Sequence, residues 1–92
     1  MTETNNYQRS TNNETMLLEI LTPEKKLFSG EANSVMFPGS AGVFEVLENH
    51  APLISTLDPG KIRVRSEAKE DQYFEINAGF VEVLNNVVTV MV

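Results

Sequence analysis

The sequence predicts an all-β fold, a compact sandwich or flattened barrel of about eight to ten short strands. Three observations lead there. Apolar runs are of strand length and are stopped by residues with a turn mechanism. The second half alternates apolar and polar residues with period two. Nowhere does an i, i+3, i+4, i+7 stripe persist long enough for an amphipathic helix.

The elements follow in order. Residues 1–15 are rich in Asn and Thr, with Tyr7 as the only large apolar residue before Met16 other than the initiating Met1. Such a stretch cannot bury enough surface to offset its ordering entropy, so a disordered extension is expected there and a single domain over 16–92. Met16 to Thr22 is a first strand, ended by Pro23. Leu27 to Gly30 leads to Val35-Met36-Phe37, stopped by Pro38-Gly39; Val43 to Leu47 and Leu53 to Leu57 follow, the latter stopped by Asp58-Pro59-Gly60, read as a turn without functional weight. In Lys61-Ile62-Arg63-Val64-Arg65 the two aliphatic residues share one face and the three cations the other, a half-buried strand whose basic side is solvated. Glu67 to Asp71 reads as a hairpin tip before Tyr73-Phe74-Glu75-Ile76, where Phe74 and Ile76 share a face. Phe80 to Leu84 and Val87 to Val92 flank Asn85-Asn86. Asn tolerates the left-handed conformation that a two-residue hairpin needs.

Composition excludes several functions. Ninety-two residues make one domain. A formal net charge of −6 removes the broad basic face of a nucleic-acid binder. The absence of Cys excludes disulfides, thiolate metal sites and cysteine nucleophiles, and leaves the core to apolar packing. No apolar run approaches the ~20 residues of a membrane-spanning helix, and the N-terminus has no signal-peptide pattern. His50 is the single histidine, so a zinc site would need carboxylates for every other ligand. No G-x-S-x-G elbow accompanies it. The expectation is a non-enzyme with no metal and no cofactor.

Two clusters stand out. Pro38-Gly39-Ser40-Ala41-Gly42-Val43-Phe44 places two glycines around two small residues, so its backbone can turn sharply or be approached closely. It serves either as a tight connection between strands or as a contact loop. No Lys or helix pattern follows, which disfavours a phosphate cradle. In Asn49-His50-Ala51-Pro52, Pro52 holds Ala51 extended and leaves His50 beside a turn, bonded to backbone or facing a partner.

Read together, these clusters resemble one family. L-E-I-L-T-P-E (Leu18 to Glu24), L-F-S-G-E (Leu27 to Glu31), the long block from Val35 to Leu53 with P-G-S-A-G-V-F and H-A-P-L, P-G-K-I-R-V (Pro59 to Val64), N-A-G-F-V-E-V (Asn77 to Val83) and N-V-V-T-V (Asn86 to Val90) look like the N-terminal domain of the epsilon subunit of the bacterial-type F1Fo ATP synthase. The resemblance runs from about Met16 to Val92.

That resemblance implies a β-sandwich of two five-stranded sheets and a non-catalytic place in the central stalk. It implies contact of Gly39, Ser40, Ala41, Gly42, Val43 and Phe44 with the c-ring, and of Thr22, His50 and Ser55 with the gamma subunit. It further implies an F1 complex with alpha and beta subunits, coupling of proton flow to ATP synthesis, and a peripheral position on the cytoplasmic face of the inner (plasma) membrane. No small-molecule ligand is implied. The sequence departs from the family at Glu45, where Gly is usual, at Glu48-Asn49, where Pro-Gly is usual, and at Ala41 and Val43, where acids are common. Negative charge thereby moves from the loop tip to its flank, and a more apolar tip contact is expected. A chain stopping at Val92 would also lack the helical hairpin of longer members and any inhibition that hairpin supplies. The alternative is a free-standing all-β binding module, which calls for a concave aromatic patch built from the five Phe and two Tyr available.

Overall fold

The computed structural model describes residues 15–67 and 69–92. Of the disordered extension expected over residues 1–15, residues 1–14 lie outside the described residues. Among those described there are nine strands and no helix: β1 (Met16–Leu21), β2 (Lys26–Ala32), β3 (Ser34–Gly39), β4 (Gly42–Leu47), β5 (Leu53–Leu57), β6 (Gly60–Arg65), β7 (Gln72–Ile76), β8 (Gly79–Leu84) and β9 (Val87–Met91).

Pairing runs β2-β1-β9-β8-β5-β3-β6-β7, with β4 on the other edge of β3. The link between β5 and β3 is a single register pair, Gly39 with Leu57. The path therefore divides into a layer of five strands (β2-β1-β9-β8-β5) and a layer of four (β4-β3-β6-β7). The expected sandwich is present, with one layer a strand short of the two sheets of five that the resemblance implied.

Both layers present one face to a common core. Met16, Leu18 and Ile20 of β1, Val81 and Val83 of β8, and Val88 and Val90 of β9 face Val35 and Phe37 of β3 and Ile62 and Val64 of β6 within one buried cluster. These are alternate residues in every case, as a period-two pattern demands. On β6 the two aliphatic residues are buried, while Lys61, Arg63 and Arg65 lie on the opposite face. Phe74 and Ile76 both turn to the core, Ile76 buried and Phe74 half-buried against it.

The connections are mostly those expected. Asn85 and Asn86 both take positive φ, 53° and 64°, and close the β8–β9 hairpin. Asn86 also ties distant segments together: its side-chain amide donates to the Thr15 carbonyl at 3.0 Å and its Oδ1 accepts from the Asn49 N–H at 2.7 Å. Thr15, which the sequence placed in the extension, further donates to Glu31 at 3.1 Å. β6 and β7 form the expected hairpin.

Asp58-Pro59 differs from expectation. β5 and β6 both run antiparallel to β3, hence in the same direction. The segment is a corner where one long strand path leaves the first layer and enters the second, rather than a chain reversal. The Asp58 N–H donates to the Pro38 carbonyl at 2.8 Å and fixes that corner on the end of β3.

Candidate functional site

The fold leaves two seams between the layers. Along one, β2 and β7 are the facing edges. There Phe28 and Phe74 meet edge to face with centroids 6.1 Å apart. Along the other, β4 and β5 face each other without pairing. A groove of about 410 Å³ lies between them, lined by Ala41, Gly42, Val43, Phe44, His50, Leu53 and Ser55.

The β3–β4 hairpin forms one wall. Its register closes at Gly39 and Gly42 around Ser40 and Ala41. Gly39 is buried, and a Cβ there would stand 2.6 Å from the Gly42 carbonyl oxygen and 2.7 Å from the Phe44 ring. No side chain fits, so the residue serves the turn from inside and does not reach the surface. Gly42 takes φ 131°, a conformation that L side chains rarely adopt. Phe44 turns inward onto Phe37, with centroids 5.4 Å apart.

Ser40 acts as a brace. Its N–H donates to the Thr56 carbonyl at 3.0 Å, its hydroxyl donates to Asp58 Oδ1 at 2.9 Å, and it accepts from the Thr56 hydroxyl at 3.0 Å. The hairpin is thus fastened to the β5–β6 corner, and what it offers outward is Ala41, Gly42 and Val43. Val43 is 70% exposed. With Ala41, Gly42 and Val43 outward, the tip presents no charged side chain.

The opposite wall is β5. Leu53 and Ser55 are half-buried on its groove side, and Ser55 donates its hydroxyl to the Thr56 carbonyl at 3.0 Å. His50 closes one end; its Nδ1 lies 2.8 Å from the Ala51 carbonyl, and its N–H donates to the Leu47 carbonyl at 3.1 Å. The imidazole therefore leans on its own loop while still lining the groove.

The structure accordingly brings His50 and Ser55 together with Ala41 to Phe44. Thr22 is elsewhere. It organises the β1–β2 turn, accepting from the Lys25 N–H at 3.0 Å and the Glu24 N–H at 3.3 Å. Its groove, about 400 Å³ in volume, includes Leu27, Glu75 and Val92. Sequence reasoning missed Thr56 and Asp58. Asp-Pro-Gly signals a turn strongly enough to hide that the Asp side chain bonds a loop 18 residues away.

On the outer face of the second layer the basic stripe is largely paired. Arg63 reaches Glu45 at 3.2 Å across β3, and Arg65 meets both oxygens of Asp71 at 3.2 and 3.1 Å. The hydrogen bonds from Arg65 hold the Asp71 carboxyl below its ordinary value; the Arg65 and Arg63 charges add to this, and desolvation opposes it. Among the described residues no group of three or more His, Asp or Glu is arranged to hold a metal.

These features belong to a known class of domain. Residues 15–92 match the family described as the ATP synthase delta/epsilon chain, β-sandwich domain, and the chain belongs to that family. It is 48% identical over 69 residues to the ATP synthase epsilon chain of Chlorobaculum tepidum, covering 75% of this chain and 78% of that one. The epsilon chain of Chlorobium limicola is 45% identical over the same shares. In fold it is similar to a chain of the Euglena gracilis mitochondrial ATP synthase, solved with OSCP, F1 and c-ring in rotational state 1. The TM-score there is 0.80 at 18% identity, over 94% of this chain and 55% of that one.

Proposed function

We propose that the chain is a non-catalytic subunit of the central stalk of a proton-translocating ATP synthase, bridging a gamma-type subunit and the c-ring. The observation that carries this reading is the β4–β5 groove. Small and polar groups, Ser55 and His50, sit in a recess whose rim is a braced apolar tip, Ala41 to Val43. A rotor element must be stiff and must present contacts without chemistry. One continuous apolar core packed from both layers supplies the stiffness.

In this reading the groove receives part of gamma and the tip rests on the polar loops of the c-ring. The complex includes alpha and beta subunits, and the chain lies peripherally on the cytoplasmic face of the membrane. No cofactor enters. Thr22 would meet gamma only at a second surface, since it lies apart from the groove. A free-standing binding module is less favoured: the groove contains one Phe and no Tyr, far from an aromatic patch.

The test is co-expression with the gamma-type subunit of the same organism. Co-purification is expected, and Ser55→Trp should weaken it while the isolated chain stays folded. Membranes reconstituted with Val43→Lys should lose coupling between ATP hydrolysis and proton pumping, because a buried unpaired ammonium is costly. Wild-type coupling with the variant shown to be incorporated would remove the tip from the c-ring contact.

A further inference from the structure

A second groove, about 490 Å³, opens on the outward side of β3, β4 and β6, away from the β4–β5 seam. It is lined by Asn33, Ser34, Glu45, Leu47, Glu48 and Arg65. Ser34 stands between Leu47 on β4 and Arg65 on β6. Val35 turns to the core, so the Ser34 side chain points outward, toward the groove. Ser34 is nevertheless only 4% exposed, and its hydroxyl has no hydrogen-bond partner among the described residues. A buried hydroxyl without a partner destabilises the free chain, and a ligand that engages it removes the defect.

The charges around it are unequally satisfied. Arg65 is turned to Asp71 by two hydrogen bonds, and Glu45 takes the Arg63 guanidinium. Glu48 accepts only the Asn49 side-chain amide, at 3.0 Å, and meets no cation among the described residues. What the groove has left over is one uncompensated carboxylate, one unengaged hydroxyl oxygen and the half-exposed Leu47 as an apolar wall.

We propose that this groove receives an arginine side chain from a partner protein. The occupant must bring positive charge for Glu48 and hydrogen-bond donors for Ser34. An anion is repelled by the uncompensated Glu48, and a neutral group would desolvate that carboxylate without compensation. A guanidinium supplies five donors in a planar fork, enough to meet a carboxylate and a hydroxyl at once. It is also more weakly hydrated than an ammonium, so it gives up less on entry. Its aliphatic stem lies along Leu47. This surface is built from different residues than the β4–β5 groove, so it stands whether or not that groove binds gamma.

The experiment is an amide chemical-shift titration of the isotopically labelled full chain. The probes are Nα-acetyl-L-arginine methylamide, its lysine counterpart and inorganic phosphate. The arginine probe should give saturable shifts centred on Asn33, Ser34, Leu47 and Glu48. The lysine probe should bind several-fold more weakly, and phosphate should leave these amides unmoved. Glu48→Gln should weaken the arginine probe about fivefold, the scale of one partly exposed ion pair. Ser34→Ala should also weaken it while leaving the melting temperature unchanged or higher, which a merely unfolded site would not do. Four results each overturn the proposal: no saturable shift at these amides, lysine or phosphate binding as tightly there, an unaltered Glu48→Gln, or shifts of Ser34 and Glu48 caused by deleting residues 1–14 without any probe. The last would give the groove to Arg9 of the chain itself.

Discussion

The two seams of the sandwich are built alike and finished differently. Where β2 faces β7, each edge contributes a phenyl ring, and the rings meet edge to face. Where β4 faces β5, the one ring available, Phe44, turns inward onto Phe37, and the facing positions hold Ser55 and Leu53. Aromatic residues close the first seam, and small residues leave the second open. Closure of one side lets the layers hold their spacing without help from the other. The open side is then free to accept another surface at little cost to the fold.

Truncation at the closed seam should cost the fold most. Phe74→Ala removes half of the edge-to-face pair and the packing of that ring against the buried core. We expect a loss of about 2 to 3 kcal/mol in urea unfolding, as for other partly buried Phe truncations. Phe28→Ala should cost about the same, and the double variant less than the sum of the two, since each single change already removes the shared contact. Strict additivity would show that the rings do not act as a pair.

The open seam should respond in the opposite sense. Ser55→Trp fills the groove with an indole and leaves β5 and its pairing with β8 in place. Stability should change by less than about 1 kcal/mol, while binding of the gamma-type subunit falls at least tenfold. Thermal melting and a pull-down on the same preparation separate the two readings. A variant that unfolds would mean that the groove belongs to the core.

How much of this contrast is legible in the sequence depends on range. Strand periodicity is a local property, so Ile62 and Val64 on β6, Phe74 and Ile76 on β7 and the Asn85-Asn86 turn could be placed from neighbours alone. The seams are not local. Phe28 and Phe74 lie 46 positions apart in the sequence. Neither residue's surroundings reveal which edge it will meet. The same limit hid Asp58, whose carboxylate serves Ser40, and separated Thr22 from His50 and Ser55 only once the strands were in order. The corner between β5 and β6 was hidden for a similar reason. Asp58-Pro59-Gly60 signals a stop, and only pairing of β5 and β6 with β3 shows that the chain carries on through it.

A smaller effect sharpens the account of the open seam. Asp58→Ala leaves the Ser40 hydroxyl with the Thr56 hydroxyl as its only side-chain partner among the described residues. We expect about 1 kcal/mol of lost stability, the net worth of a typical hydrogen bond, because exposure of both groups to water weakens the charged one. The local consequence should be clearer than the global one. Hydrogen exchange at the Ser40 amide, bonded to Thr56, should accelerate well beyond that of β1 amides. Uniform acceleration would mean that the brace supports the whole domain rather than the tip.

The smallest effect lies beside the closed seam, where Asp71 precedes β7 and is clasped by Arg65 of β6. Its carboxyl titrates below the ordinary aspartate value because the charged form accepts the guanidinium hydrogen bonds. A group whose folded pKa is depressed adds stability that is fully present above its unfolded pKa, near 4, and that disappears as pH falls through the lower folded value. Asp71→Asn should therefore leave the melting temperature at pH 7 slightly lowered and make the acid limb of the stability curve shallower below about pH 4. Arg65 is exposed and Asp71 half-buried, so added salt should shrink the difference between the chain and its variant. The direct check is a carboxyl-carbon titration of Asp71 followed by the same titration in Arg65→Gln. The midpoint should rise toward the ordinary aspartate value in the variant. An unchanged midpoint would show that Arg65 does not hold the carboxylate. The β6–β7 hairpin would then owe its place beside the closed seam to strand pairing and the Phe28–Phe74 contact alone.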